Sequence, residues 1–234
     1  AAGSKTAPRT AEEMEAFTRY VKQVLERYPQ IKSVEMWNEP NWGFWQPEPD
    51  AIDYSAMVKA VSSAAREVRD DIYVMCGSLV YSGHKEFLNE MIEEGVLDYV
   101  DGISTHPYSF PYGSDSVLAN KLKDIDKIIS KNGGFKEHIV TEIGLPTSTG
   151  ARGATEERQA SEIVKSFVYD DDGGVASTNW YNFRNKGENA EEEEDNYGII
   201  NRDRSPKKAL IALVNLTNKL NGSVYFGSVE LEPD

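Results

Sequence analysis

Apolar positions along the chain alternate between two rhythms. At helical spacing, Met14, Phe17, Val21, Val24 and Leu25 line one face of a segment that Thr10-Ala11-Glu12-Glu13 opens as a capping box and that ends before Pro29. A short apolar run follows, from Ile31 to Glu39, and reads as a buried strand. The alternation then repeats. Residues 54–68 (Met57, Val58, Val61, Ala65) predict a helix, 72–79 a strand, 84–93 a helix and 99–105 a strand. Residues 117–129 predict a helix, 138–142 a strand, 155–168 a helix with Thr155 as its cap, and 175–181 a strand. Ser205-Pro206, an N-cap followed by Pro at the first helical position, predicts a last helix through Leu220. Strands alternating with helices call for an α/β fold, a parallel sheet with helices outside it. No internal sequence repeat goes beyond this alternation.

Two of the strands end in a carboxylate. IKSVEMWNEPNW runs from Ile31 to Trp42 and stops at Asn38-Glu39-Pro40, where Pro40 has no N–H to continue a ladder. A carboxyl group at the end of a buried strand is costly, and burial favours the protonated form that a general acid needs. Trp42, Phe44 and Trp45 follow at once in a loop. Exposed aromatics beside a carboxyl group suggest a sugar site, because sugar rings stack on flat apolar faces. The plain alternative is a turn glutamate with the tryptophans in the core. The second case, Ile139 to Thr147 (IVTEIGLPT), ends in Glu142. Glycoside hydrolysis needs two carboxyl groups facing each other across the scissile bond. Parallel barrel strands all end on one face and supply that geometry. Glu39 and Glu142 stand 103 positions apart (142 − 39), or about 34 per step if three strand-helix units intervene.

Trp37-Asn38-Glu39-Pro40, Ser104-Thr105-His106-Pro107-Tyr108, Thr141-Glu142 and Asn179-Trp180-Tyr181 occur in this order. The set resembles the retaining glycoside hydrolases of clan A, where these motifs end barrel strands four, six, seven and eight. The stretch from Asn196-Tyr197-Gly198-Ile199-Ile200 to Arg204-Ser205-Pro206-Lys207 resembles the segment after strand eight in family 39 and related families, family 5 among them. The resemblance implies a (β/α)8 TIM-barrel type of fold of which five strand-helix units are present and the first three strands are missing. Either the chain is part of a longer barrel, or a partner chain or self-association completes it, or a short sheet closes differently. An open parallel sheet would leave two edges exposed and prone to aggregate.

The resemblance also implies roles. Glu39 would be the acid/base and Glu142 the nucleophile of a two-step displacement, with the carboxyl groups roughly 5–5.5 Å apart. Asn38 would hydrogen-bond the sugar 2-hydroxyl, Tyr108 would donate to the nucleophile, and His106 would contact substrate or a catalytic carboxylate. Trp180 would floor the subsite of the reacting sugar, with the peptide bond after it cis. Trp42 and Trp45 are expected to touch sugar, Phe44 less so, and Trp37 to sit in the core. The substrate would be a β-linked poly- or oligosaccharide, which suggests a secreted or cell-surface protein. A non-catalytic carbohydrate-binding module derived from such an enzyme is the competing class.

Composition narrows the field. A net charge of −14 argues against nucleic-acid binding, where a basic stripe is expected. No apolar run is long enough to span a membrane, and the N-terminus has no signal-peptide pattern. The chain opens at Ala1 without Met, as it would if a leader had been removed, and residues 1–9 read as a linker or an expression remnant before a single domain. The single Cys76, in the apolar run Ile72–Cys76, excludes an internal disulfide and reads as a buried inert thiol. No second histidine stands near His106 in the sequence; His84 and His138 occupy unrelated positions, so no metal site and no cofactor are expected. Glu188 to Asp195 (ENAEEEED) falls in the loop after the last strand and reads as a solvated, mobile charge run. The pairs Gly133-Gly134 and Gly173-Gly174 lie between elements and lack phosphate-loop spacing.

Overall fold

The computed structural model describes residues 5–108, 116–132, 134–172, 174–224 and 226–227; Gly133, Gly173 and residues 1–4 lie outside the described residues. Five parallel strands follow one another in the sheet in chain order, β1-β2-β3-β4-β5, with helices between them. This is the α/β pattern of successive units of a (β/α)8 barrel, five strands where the closed barrel has eight. The chain divides into two compact units: Ala1–His106 with Asp124–Ile139, and Pro107–Lys123 with Val140–Asp234.

The first unit holds α1 (Ala11–Arg27), β1 (Ser33–Met36), α2 (Ala51–Val68), β2 (Tyr73–Val80), α3 (His84–Glu93) and β3 (Gly102–His106). It also takes the later turns of α4 (Ser116–Lys131) and the start of β4 (Glu137–Ile143). The predicted capping box is present: Thr10 Oγ1 accepts from Glu13 N, and Glu13 Oε2 accepts from Thr10 N. β1 pairs with β2 from Ser33 opposite Tyr73 to Met36 opposite Cys76. β2 pairs with β3 but shifts register between Cys76 and Leu79. The core lies where Val74, Cys76, Leu79 and Ile103 meet Tyr54, Met57, Val58 and Val61 of α2 and Leu88 and Met91 of α3. Cys76 is buried there, and burial pushes its thiol pKa up, as an inert thiol requires.

The second unit holds the start of α4, the end of β4, α5 (Glu156–Asp172), β5 (Ser177–Trp180) and α6 (Lys208–Leu220). Its core has two clusters, one around Leu118, Leu122, Val140 and Ile143 and one around Ile163, Ile199 and Ala209. Lys207 is almost wholly buried, and its ammonium donates to Thr147 Oγ1 (2.8 Å), Asn185 Oδ1 (2.9 Å) and Asn196 O (3.0 Å).

Several boundaries differ from the sequence reading. β1 is confined to Ser33–Met36, because the chain beyond leaves the extended conformation at Trp37. α2 starts three residues early, at Ala51, with the Asp50 side chain as cap for Asp53 N. The last helix starts at Lys208 and not at Pro206: Lys207 N donates to Ile199 O, and Pro206 bridges Ile200, which keeps this stretch extended. Near the start of the described residues, Ala7 N donates to Gln46 O and Gln46 N to Lys5 O.

Candidate active site

In the first unit the turn after β1 is built on unfavourable backbone. Trp37 (φ 73°) and Glu39 (φ 45°) are both left-handed, a region costly for side chains with a Cβ and most of all for bulky ones. Such a turn persists only if its surroundings over-determine it, and β2 supplies the constraint. At its register shift Gly77 (φ 114°) and Ser78 (φ 39°) form an irregular pair. Gly77 N donates to the Tyr54 hydroxyl (2.9 Å), which donates to Met36 O (2.6 Å). Ser78 N donates to Ser104 Oγ (2.7 Å), and Ser78 Oγ accepts from Glu39 N (2.9 Å). Asn41 closes the turn against the end of β2, accepting from Val80 N (3.1 Å) and donating to Val80 O (2.7 Å) and Ser82 O (3.0 Å). The Glu39 carboxyl, thus fixed, lies with Oε1 2.9 Å from Nδ1 of His106, itself buried at the end of β3. Asn38 is half-buried between the two left-handed residues.

In the second unit β4 delivers Glu142 one residue before its end. The Tyr108 hydroxyl donates to Glu142 Oε1 at 2.5 Å, the length of a charge-assisted bond. Burial, and then the Glu142 charge, push the Tyr108 pKa far up, so this phenol stays a donor at any ordinary pH. Lys121 Nζ donates to Tyr108 O (2.8 Å). Gly144 follows directly on β4. A Cβ there would lie 2.0 Å from Tyr181 O, so only glycine lets the chain after β5 pass this close.

The loop tryptophans separate. Trp42 is 54% exposed and offers a free face, as expected. Trp45 does not: it is fully buried, its ring edge-on to Trp37 and Tyr54 at 5.3 Å from each, and it belongs to the core. Trp37 packs on that core as expected, with Nε1 donating to Phe44 O. Trp180 is partly buried and packs against both core clusters of its unit; the cis bond expected after it lies one residue on, at Tyr181-Asn182. Nor is the acidic run a free solvated loop. Glu193 pairs with Arg152 (2.5 Å), Glu194 accepts from Lys186 (2.7 Å) and from the Tyr181 hydroxyl (2.9 Å), and Asp195 accepts from Asn189 N.

Sequence reasoning missed Ser78, Tyr54, Tyr181 and Lys121. A signal existed for Ser78, since a glycine inside the apolar run YVMCGSLV marks a bulge. Tyr54 and Lys121 gave none, since their partners stand 13 to 23 positions away, and Tyr181 entered only as part of Asn179-Trp180-Tyr181.

No family model matches the chain. Solved structures match its fold. A family 39 glycoside hydrolase from the gut symbiont Bacteroides cellulosilyticus WH2 superposes with TM-score 0.79 at 24% identity, over 92% of this chain and 46% of that one. A family 39 β-xylosidase from Caulobacter crescentus gives 0.68 at 18%, over 92% and 49%. A family 10 endoxylanase from a sugarcane soil metagenome gives 0.58 at 15%, over 87% and 68%. The chain spans about half the length of the two family 39 structures. At these identities the fold is what is shared.

Proposed function

We propose that this chain carries the catalytic residues of a retaining β-glycosidase acting on a poly- or oligosaccharide. The observation that carries the reading is the pairing of each strand-end glutamate with one residue of His106-Pro107-Tyr108: Glu39 with His106, and Glu142 with Tyr108. The glycosidases among the fold neighbours support it, and a β-xylosidase and an endoxylanase among them make β-xylosides the first substrates to try. A substrate of this class puts the site of action outside the cell or at its surface.

In the first step Glu142, ionised, attacks the anomeric carbon with the oxygen that Tyr108 does not hold. The glycosidic C–O bond breaks as Glu39 gives its proton to the leaving oxygen, leaving a covalent glycosyl-enzyme. In the second step Glu39 takes a proton from water, the hydroxide equivalent attacks the anomeric carbon, and Glu142 leaves as carboxylate. His106 orients the Glu39 carboxyl. Asn38 receives the sugar 2-hydroxyl, and Trp42 offers a stacking face. Trp180 floors the subsite of the reacting sugar, and Trp45 packs in the core.

The test is hydrolysis of aryl β-glycosides and β-linked polysaccharides by the wild type, E142Q and E39Q. Glu142→Gln is expected to abolish turnover of every substrate. Glu39→Gln should abolish it for poor leaving groups and spare part of it for 2,4-dinitrophenyl glycosides, which need no proton. Full hydrolysis by E142Q would sink the reading. The chain spans about half of the two family 39 structures, and in a second reading further strands, in the same or another polypeptide, complete the barrel before turnover appears.

A further inference from the structure

The acidic run after β5 is more than a solvated loop, and its contacts lead toward Glu142. Within the second unit, Glu194 accepts from the Tyr181 hydroxyl (2.9 Å) and from Lys186 Nζ (2.7 Å), while Lys186 also bonds the Tyr181 hydroxyl and lies 4.9 Å from its ring centre. The Tyr181 ring stands edge-on to Tyr197 at 5.1 Å, and Tyr197 stands edge-on to Tyr108 at 6.3 Å. Tyr108 donates to Glu142. Although burial works against ionisation, Lys186 and Tyr181 hold the Glu194 pKa below the ordinary carboxylate range, so the pair is charged at neutral pH.

We propose that Lys186 and Glu194 form an ion-pair clamp that positions Tyr108 on the nucleophile through the edge-to-face rings of Tyr181 and Tyr197. The inference rests on the glycosidase reading for its kinetic consequence, but its geometry stands apart from it. The short hydrogen bond from Tyr108 helps fix one oxygen of Glu142, and its strength depends on where the Tyr108 ring sits. That ring is backed by Tyr197, and Tyr197 by Tyr181. Tyr181 in turn is held through its hydroxyl by Glu194 and Lys186. Edge-to-face contacts are directional, so displacing one ring displaces the next. Glu194 and Lys186 touch no reacting atom in this scheme; they are positioning residues.

The experiment labels the full chain with 3-fluorotyrosine and follows the 19F resonances of Tyr108, Tyr181 and Tyr197, assigned by single Tyr→Phe variants. In Glu194→Ala all three resonances are expected to move, and Glu194→Gln, which keeps an acceptor for Tyr181, should move them less. Glu191→Ala, an exposed neighbour outside the clamp, should move none. If E194A does not fold, Lys186→Met gives the same readout from the other side of the pair. A shift confined to Tyr181, or none at all, overturns the proposal. In turnover, E194A is expected to lower kcat by roughly tenfold with KM within about twofold, and E194Q to recover most of the loss. A dead E142Q beside an E194A with wild-type kcat would refute the clamp and keep the glycosidase; an active E142Q would refute the glycosidase while the resonances still judge the clamp.

Discussion

Two side chains test most directly what single contacts contribute. Tyr108→Phe keeps the ring and removes the donor to Glu142. A hydrogen bond to a charged group is worth about 1.5–3 kcal/mol, so kcat/KM should fall roughly 10- to 100-fold with little change in melting temperature. Lys207 is the other. Burial pushes its pKa down from 10.5 to about 8, and its three bonds go to neutral oxygens. Below pH 8 folded and unfolded chains both keep the proton, and burial of the charge costs on the order of 3 kcal/mol. Above pH 8 the folded chain releases a proton that the unfolded chain still binds, so this residue makes stability rise with pH up to 10.5. Buried tyrosines such as Tyr108, with pKa values raised above 10, act in the opposite sense from pH 10 upward. The Cys76 thiol, held by burial above its ordinary pKa of 9, acts likewise from about pH 9, so the window to read is pH 8 to 9. Denaturant midpoints should rise across it in the wild type and stay flat in Lys207→Met. Nothing local in the sequence distinguishes Lys207 from a surface lysine; only the convergence of Thr147, Asn185 and Asn196 does so.

The rhythm of apolar positions was legible element by element, because each helix and strand buries one face or one run against a common core. What escaped were features decided by neighbours remote in sequence. Ser205-Pro206 has the local chemistry of a helix start, yet the backbone bond from Lys207 to Ile199 delays the helix by two residues. Trp42 and Trp45 share one loop and one local signature; Tyr54 and Trp37 bury the second and leave the first exposed. The strand-end glutamates were legible because a charge closing an apolar run is rare without a task. The irregularity of β2 that supports one of them was only hinted at by Gly77. At this element, Gly77→Ala combines a φ of 114° with a Cβ 2.6 Å from Ser104 O. It should cost about 2 kcal/mol or more and lower the melting temperature by roughly 4–8 °C, measured by calorimetry. Ser78→Ala should leave the melting temperature closer to wild type while lowering activity, because it frees the Glu39 amide from its acceptor without a clash.

At the scale of the whole molecule, the chain matches about half of the family 39 barrels that share its fold, and the sheet ends in two strands with a single neighbour each, β1 and β5. The second unit also carries a helix with little to cover it: Ile211 and Val214 of α6 are about half exposed, as is Leu220 at its end. In a closed barrel the strand after the eighth is the first, and the helix after the eighth packs beside the first. Strand edges and apolar helix faces of this kind attract whatever chain can pair with them. The purified chain is therefore expected to associate, and sedimentation velocity over a hundredfold range of concentration should show the average mass rising. Ile211→Glu with Val214→Glu should suppress that rise if α6 carries the contact and leave it unchanged if the strand edges do. Addition of a polypeptide supplying three further strand-helix units should replace self-association by a defined complex and raise turnover. A chain that stays monomeric at every concentration and hydrolyses β-glycosides at full rate alone would show that five strands suffice, and the requirement for a completing chain would fall.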